Sequence, residues 1–249
     1  MSNQLPQPNI LLERGAVILV NKPGGLLTQA PPGIDSLEVR VKQFLIQREN
    51  KPGKAYLGVP HRLDRPVSGV MVVVKNVRAA KRISEQIQAR TVNKRYWALV
   101  CGHISKTLGN EGECIDFMRK VPGEARSEIV SQTHPDAKNA ELNFHVLSES
   151  VIDREPVSQI EIELVTGRTH QIRLQLSHRG HAILGDQLYG STVSFGPQTL
   201  DLRKRWIALH ARRLGFVHPI DKESVDMTCP LPAAWTEDER LAGLALDRD

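Results

Sequence analysis

Between residues 61 and 69 the chain reads His61-Arg62-Leu63-Asp64-Arg65-Pro66-Val67-Ser68-Gly69, and it runs at once into the apolar stretch Val70-Met71-Val72-Val73-Val74. One carboxylate stands between two guanidinium groups, with proline and glycine fixing the backbone just ahead of the apolar run. A charge held partly out of water is usually paired or used, which makes Asp64 a candidate reaction centre with Arg62 and Arg65 as its cationic neighbours. An isolated Arg-x-Asp-Arg is more often a solvated cluster beside a turn. A second stretch tips the balance: Thr166-Gly167-Arg168-Thr169-His170-Gln171-Ile172-Arg173-Leu174, continuing to Gly185-Asp186-Gln187-Leu188-Tyr189-Gly190.

These residues need elements to position them. Residues 1 to 9, with Pro6 and Pro8, read as a loose tail. Val17 to Val20 form a short strand that ends in the turn Asn21-Lys22-Pro23-Gly24-Gly25. Lys22 could reach a phosphate there, although a lysine at a strand end is more often solvated. Leu37, Val41, Phe44 and Leu45 fall on one helical face, with Asp35 and Glu38 spaced as a capping box. A polar, turn-rich segment with Pro52, Gly53, Gly58 and Pro60 leads into the central motif. Val70 to Val74 is continuously apolar and β-branched, as expected of a strand buried on both faces. Asp64 is thus placed just ahead of a rigid strand, as a positioned catalytic group requires.

Asn76 caps a second helix with Ala80, Ile83 and Ile87 on one face. In the next strand Tyr96, Ala98 and Val100 alternate with Arg95, Trp97 and Leu99. By itself Tyr96 reads as a core tyrosine with a satisfied hydroxyl. Residues 103 to 138 are weakly patterned and read as loops and irregular strands. Ala140, Leu142, Phe144 and Val146 mark one half-buried strand and Ile160, Ile162 and Leu164 another, able to pair antiparallel. Thr169 is a plausible cap for a helix that turns Ile172 and Leu176 inward, carries Arg173 in its first turn and stops near Gly180. Residues 191 to 205 read as a polar loop, Trp206 to Phe216 as a strand, and the charged stretch from Glu237 as a short final helix. No repeat, low-complexity tract or linker divides the chain, so residues 1–249 are expected to form a single catalytic domain.

With 249 residues, 40% of them hydrophobic and 24% charged, the chain has the composition of an ordinary globular protein with a sizeable core. It contains no apolar run of the roughly 20 residues needed to span a bilayer and no signal pattern at its start, so the expectation is a cytoplasmic protein without a membrane partner. Cys101, Cys114 and Cys229 are widely spaced and odd in number, and are expected to be reduced, buried and inert. The nine histidines include no H-E-x-x-H, so no metal site is expected. A net charge of +5 favours a polyanionic partner, though only weakly.

Together the two stretches resemble the RluA-type pseudouridine synthase family, whose signature runs H-R-L-D-R-x-T-S-G, then G-R-T-H-Q-I-R, then G-D-x-x-Y-G. Asn21-Lys22-Pro23-Gly24-Gly25-Leu26-Leu27-Thr28 resembles that family's N-K-P-x-G opening. Lys94-Arg95-Tyr96-Trp97-Ala98-Leu99-Val100 is similar to its tyrosine-bearing strand, and Leu209-His210-Ala211 with Phe216-Val217-His218-Pro219 to its closing strands. The ordered match covers roughly residues 16 to 235, which makes it far more specific than a lone motif. Val67 departs from the pattern, standing where threonine is more usual.

The resemblance implies an α+β pseudouridine synthase fold: a mixed, mostly antiparallel central sheet flanked by helices and loops, without an appended N-terminal S4-like module. It implies an RNA partner and isomerisation of uridines in ribosomal or transfer RNA, or both, with no cofactor. It assigns Asp64 as the essential carboxylate, Arg173 as the basic residue that pairs with it, and Tyr96 as the tyrosine that stacks on uracil and assists proton transfer at carbon 5. The role of Asp64 stays open among addition to the uracil, attack on the anomeric carbon and abstraction of a ribose proton. Leu174 is a candidate wall of the uracil slot. A uracil in folded RNA must be flipped out to react, and Arg62 is a candidate to enter the space it leaves. Arg65, Arg168 and Lys22 are weaker candidates for RNA backbone contacts, since Arg168 could simply tie its glycine turn to the sheet. The expected protein is a monomer.

Two other readings compete. One is a non-catalytic RNA-binding protein or RNA chaperone on the same scaffold, which would have little physical reason to keep Asp64, Tyr96 and Arg173 together. The other is a hydrolase with paired carboxylates, for which no motif supplies the second acid near Asp64.

Overall fold

The computed structural model describes residues 5–50 and 55–246. Pro52, Gly53 and the start of the expected tail lie outside the described residues. In chain order the elements are β1 (Asn9–Arg14), β2 (Val17–Lys22), α1 (Leu37–Glu49), β3 (Ser68–Val74), α2 (Val77–Gln88), β4 (Asn93–Cys101), α3 (Ser105–Leu108), β5 (Glu111–Lys120), β6 (Ser127–Ile129), β7 (Lys138–Ile152), β8 (Glu155–Leu164), α4 (Gln171–His178), β9 (Leu209–Val217), β10 (Ser224–Thr228) and α5 (Ala233–Thr236). This is an α+β chain with a mixed, mostly antiparallel sheet, an isolated bridge between Leu27 and Ser36 being parallel. No helix among the described residues is long and apolar enough to cross a membrane. The chain divides into two compact units, Met1–Asn93 with Ala211–Pro230, and Lys94–His210 with Leu231–Asp249.

In the first unit β2 lies between β1 and β3, antiparallel to both, with Lys22 opposite Gly69 and Asn21 opposite Val70. All seven residues of β3 are buried, as its apolar run dictates. Gly69 belongs to the central motif for a steric reason. It has φ +123°, and a Cβ there would come within 2.4–2.7 Å of the Ala211 backbone in β9. β10 pairs antiparallel with β9. The edge strand β1, which begins in the segment expected to be loose, carries no clean alternation to announce it.

The helices of this unit are capped by side chains. Asn76 Oδ1 accepts from the Ala79 amide at 2.8 Å, as expected for α2, whose buried residues are Ala79 and Ile83; Ala80 and Ile87 are half-buried. At α1 the cap is Ser36, whose hydroxyl accepts from the Val39 amide, one residue after the cap position read from the sequence. Asp35 and Glu38 instead form ion pairs with Arg40 and Lys42. The bridge between Leu27 and Ser36 holds Ser36 extended, which places its hydroxyl over the first turn.

The second unit orders its strands β4-β8-β7-β5-β6, and each neighbouring pair is antiparallel. β7 and β8 pair as their alternation predicts, with Phe144 opposite Ile162 and Val146 opposite Ile160. The segment expected to be loops and irregular strands contains the regular ten-residue β5, whose inward face is carried chiefly by Cys114 and Met118. Its hydrophobic signal is sparse because Asp116 interrupts it. Thr169 does not cap α4: His170 holds the N-cap position at φ 56° with no capping bond from its side chain to the helix, and Gln171 Oε1 accepts from the Arg168 amide at 3.0 Å instead. Ile172 and Leu176 are buried as expected. Gln175 seats the helix on the sheet, its Nε2 donating to the carbonyls of Cys114 and Ala140 at 3.1 Å each. The helix α5 precedes the charged stretch, which among the described residues forms only a 3-10 turn at Glu239–Leu241. Within the expected polar loop of residues 191 to 205, Leu202–Lys204 is likewise a 3-10 turn.

Candidate active site

The Asp64 turn is clamped from both flanks by the segment around Asn21 to Thr28. On one side the buried Thr28 hydroxyl donates to the Leu63 carbonyl at 2.8 Å and accepts from the Leu63 amide at 3.2 Å. On the other, Lys22 Nζ donates to the carbonyls of Leu26 at 2.7 Å, Pro23 at 2.9 Å and Arg65 at 3.2 Å. The turn closes on itself through the Val67 amide, which donates to the Asp64 carbonyl at 3.1 Å. His61 Nε2 accepts from the Val72 amide at 3.0 Å and ties the start of the motif to β3. Leu63 and Val67 are buried, so Asp64 is a half-buried carboxylate on a turn anchored in the core. The apolar Val67 suits its buried position.

Lys22 is neither solvated nor set at the surface for an RNA phosphate, because its side chain is 0% exposed. Burial pushes its ammonium down to about 7; the Asp64 carboxylate pulls the other way and Arg65 adds to the lowering. Arg62 is exposed and Arg65 half-buried, with a buried Nε that has no hydrogen-bond partner among the described residues.

In the second unit Arg173, 5% exposed in the first turn of α4, binds Asp186 with Nε to Oδ2 at 2.6 Å and Nη2 to Oδ1 at 2.8 Å. Its guanidinium carbon also lies 5.1 Å from the Tyr189 ring centroid. The Tyr189 hydroxyl accepts from the Ser127 amide at 2.9 Å and lies 3.0 Å from His170 Nδ1, while Ser177 Oγ donates to the Tyr189 carbonyl at 2.6 Å. The stretches from Thr166 to Leu174 and from Gly185 to Gly190 are therefore one assembly. The Gln171 carboxamide closes its base, with Oε1 accepting from Thr166 Oγ1 and Nε2 donating to the Glu141 carbonyl.

Asp64, Arg62, Arg65 and Lys22 belong to the first unit, and Tyr96, Arg168, Arg173 and Leu174 to the second. Tyr96 is buried in β4 opposite Ile162 of β8. Leu174 is half-buried, and the exposed Arg168 donates from Nε to the Asn139 carbonyl at 2.9 Å, tying its turn to β7. No cluster of three or more His, Cys, Asp or Glu placed to hold a metal occurs among the described residues. The three cysteines are free thiols. Cys114 and Cys229 are buried, and burial pushes the Cys229 thiol up to about 12, but Cys101 is only half-buried.

Residues 16–178 match the family described as RNA pseudouridylate synthase. The chain belongs to that family. An uncharacterized RNA pseudouridine synthase of Chloroflexus aurantiacus is 34% identical over 86% of the chain and 62% of its own length. A ribosomal large subunit pseudouridine synthase D of Xanthomonas campestris is 31% identical over 90% of the chain and 66% of its own length. The chain thus spans somewhat less than two thirds of these curated relatives. Among solved structures, the human RNA pseudouridylate synthase domain containing 1 superposes with a TM-score of 0.70 at 26% identity, over 94% of this chain and 87% of that one. The fold is the pseudouridine synthase fold.

For this pseudouridylate synthase family member, sequence reasoning did not anticipate Thr28, Asp186 and Tyr189 as partners of the candidate residues. The family match takes in Asp64, Tyr96 and Arg173 and stops before Asp186 and Tyr189. The signal for the last two was the G-D-x-x-Y-G segment itself. Thr28 closes the N-K-P-x-G stretch, and nothing local shows that its hydroxyl serves a turn so far along the chain.

Proposed function

We propose that the chain isomerises uridines in RNA to pseudouridine, with Asp64 as the essential carboxylate and ribosomal RNA, transfer RNA or both as substrate. In that reaction the bond from ribose carbon 1′ to uracil N1 breaks and a bond from carbon 1′ to carbon 5 forms. The carbon 5 proton leaves and N1 gains one, so composition is unchanged and no redox partner is needed. The reading is supported above all by the clamped Asp64 turn: the Thr28 bonds to Leu63 and the Lys22 bond to Arg65 fix the backbone on both sides of a half-buried carboxylate. A rigidly held acid of this kind suits chemistry on an extruded base.

Arg173 is proposed to pair with Asp64, its guanidinium aimed by Asp186 and Tyr189. Tyr96 stacks on the uracil and assists proton transfer at carbon 5, Leu174 walls the slot, and Arg62 fills the space the base vacates. Arg65 and Arg168 contact the backbone. The name of the Xanthomonas relative favours large-subunit ribosomal RNA.

The test is tritium release from carbon 5 of labelled uridine in separate ribosomal and transfer RNA pools. Release from either supports the isomerase. Release from neither, by a protein that binds both RNAs, overturns it.

A further inference from the structure

The second unit contains a cleft of about 450 Å³ between the ends of β5 and β6, the start of β7 and the turn from Gly167 to Thr169. Its charged lining is Arg119, Lys120, Lys138 and Arg168 against a single carboxylate, Asp136. Arg119 is already neutralised, 2.7 Å from Glu128 and 3.9 Å from Asp136. Lys120, Lys138 and Arg168 are exposed and have no carboxylate partner among the described residues. Lys94 stands at the same turn, its Nζ 3.7 Å from where a Cβ on Gly167 would be.

Solitary surface lysines are ordinary, but three unpaired cations converging on one concavity repel one another and concentrate a positive field there. The cleft is also firmly built. Ser127 Oγ donates to the Thr169 carbonyl at 2.8 Å, and the bond from Arg168 Nε to Asn139 fixes the base of that guanidinium. Glycine at position 167 leaves the wall without a side chain, so a bulky strand can approach the backbone.

We infer that this cleft holds the sugar-phosphate backbone of the substrate RNA beside the target uridine, with Lys120, Lys138 and Arg168 each meeting a phosphate. The inference rests on the RNA-isomerase reading and adds to it a backbone track leading into the turn before α4. A groove whose charged lining is dominated by exposed cations suits phosphate contact.

The experiment is binding of a fluorescently labelled oligouridylate across a salt series, using the wild-type chain, the Lys120→Gln/Lys138→Gln/Arg168→Gln variant and Lys138→Gln alone. Each single-strand phosphate contact contributes a slope of about 0.7 in log affinity against log salt. The triple variant should therefore lose about 2 in slope and bind at least about tenfold more weakly at low salt, and Lys138→Gln, whose exposed side chain has no carboxylate partner among the described residues, should drop about 0.7. Lys106→Gln, outside the cleft, should keep the wild-type slope. Unchanged slopes in both cleft variants, or an equal drop in Lys106→Gln, would overturn the inference while leaving the isomerase reading intact. A wild-type chain that shows the expected slopes but releases no tritium would instead sink the isomerase reading alone.

Discussion

Arg173 and Asp186 meet through two parallel N–H to oxygen contacts of 2.6 and 2.8 Å, with their side chains only 6% and 1% exposed. A buried pair of this kind contributes little over an apolar pair of the same shape, but removing one member takes from the other its two buried charge-assisted contacts. Asp186→Ala should therefore destabilise the fold by about 3–5 kcal/mol in urea melts. It should also lower activity by releasing the guanidinium from its aim. Asp186→Ala with wild-type stability would mean that Arg173 does not depend on this carboxylate.

The Thr28 clamp makes a different prediction. Its hydroxyl serves both the amide and the carbonyl of Leu63, so Thr28→Val leaves two buried backbone groups unpaired at about 1–3 kcal/mol each. Thr28→Ser keeps the oxygen and should recover most of the loss. Activity should follow the same order, measured at a temperature where all three proteins remain folded. A Thr28→Val protein as active and as stable as Thr28→Ser would separate the clamp from the Asp64 turn.

Gly69→Ala places a Cβ against the Ala211 backbone, with its closest atom at 2.4 Å, and at a φ that side chains rarely adopt. Neither strand can retreat without breaking its pairing, so the variant should fail to accumulate as soluble folded protein. Soluble Gly69→Ala with a cooperative melt near that of the wild type would show that β3 and β9 can separate.

Lys22 predicts a pH dependence. In the unfolded chain a lysine keeps its proton up to about 10.5, whereas burial lowers it to about 7 in the fold. Between those values the unfolded chain binds more protons. Stability therefore rises with pH across the window, by at most about 1.4 kcal/mol per unit, and the cost is fully present below pH 7. Lys22→Met cannot titrate, so the wild-type stability minus that of the variant should climb from about pH 7 to about pH 10. A flat difference would mean that the three carbonyl acceptors keep the ammonium charged throughout.

The residues nominated from sequence were those whose types are costly to keep without a use: Asp64 between two arginines, and Arg173 in a helix's first turn. The strands with clean periodicity were legible for the same reason, β3 by its unbroken apolar run and β7 and β8 by their alternation. β5 was not, because Asp116 breaks its inward face and its register comes from β7. Lys22 was misplaced because a lysine beside a turn gives no local sign of the carbonyls that gather round it. The α1 and α4 caps shifted by one residue because long-range contacts, the bridge from Leu27 and the bonds of Gln171, chose among neighbouring candidates.

The most direct test of the proposed chemistry is single-turnover tritium release from carbon 5 by Asp64→Asn, compared with the wild type on the same RNA. The variant keeps the backbone bonds of the turn, which circular dichroism and an unchanged melt can verify. Asp64→Asn is expected to bind the RNA and release no tritium above background. Release at the wild-type rate would contradict the assignment of Asp64 as the essential carboxylate.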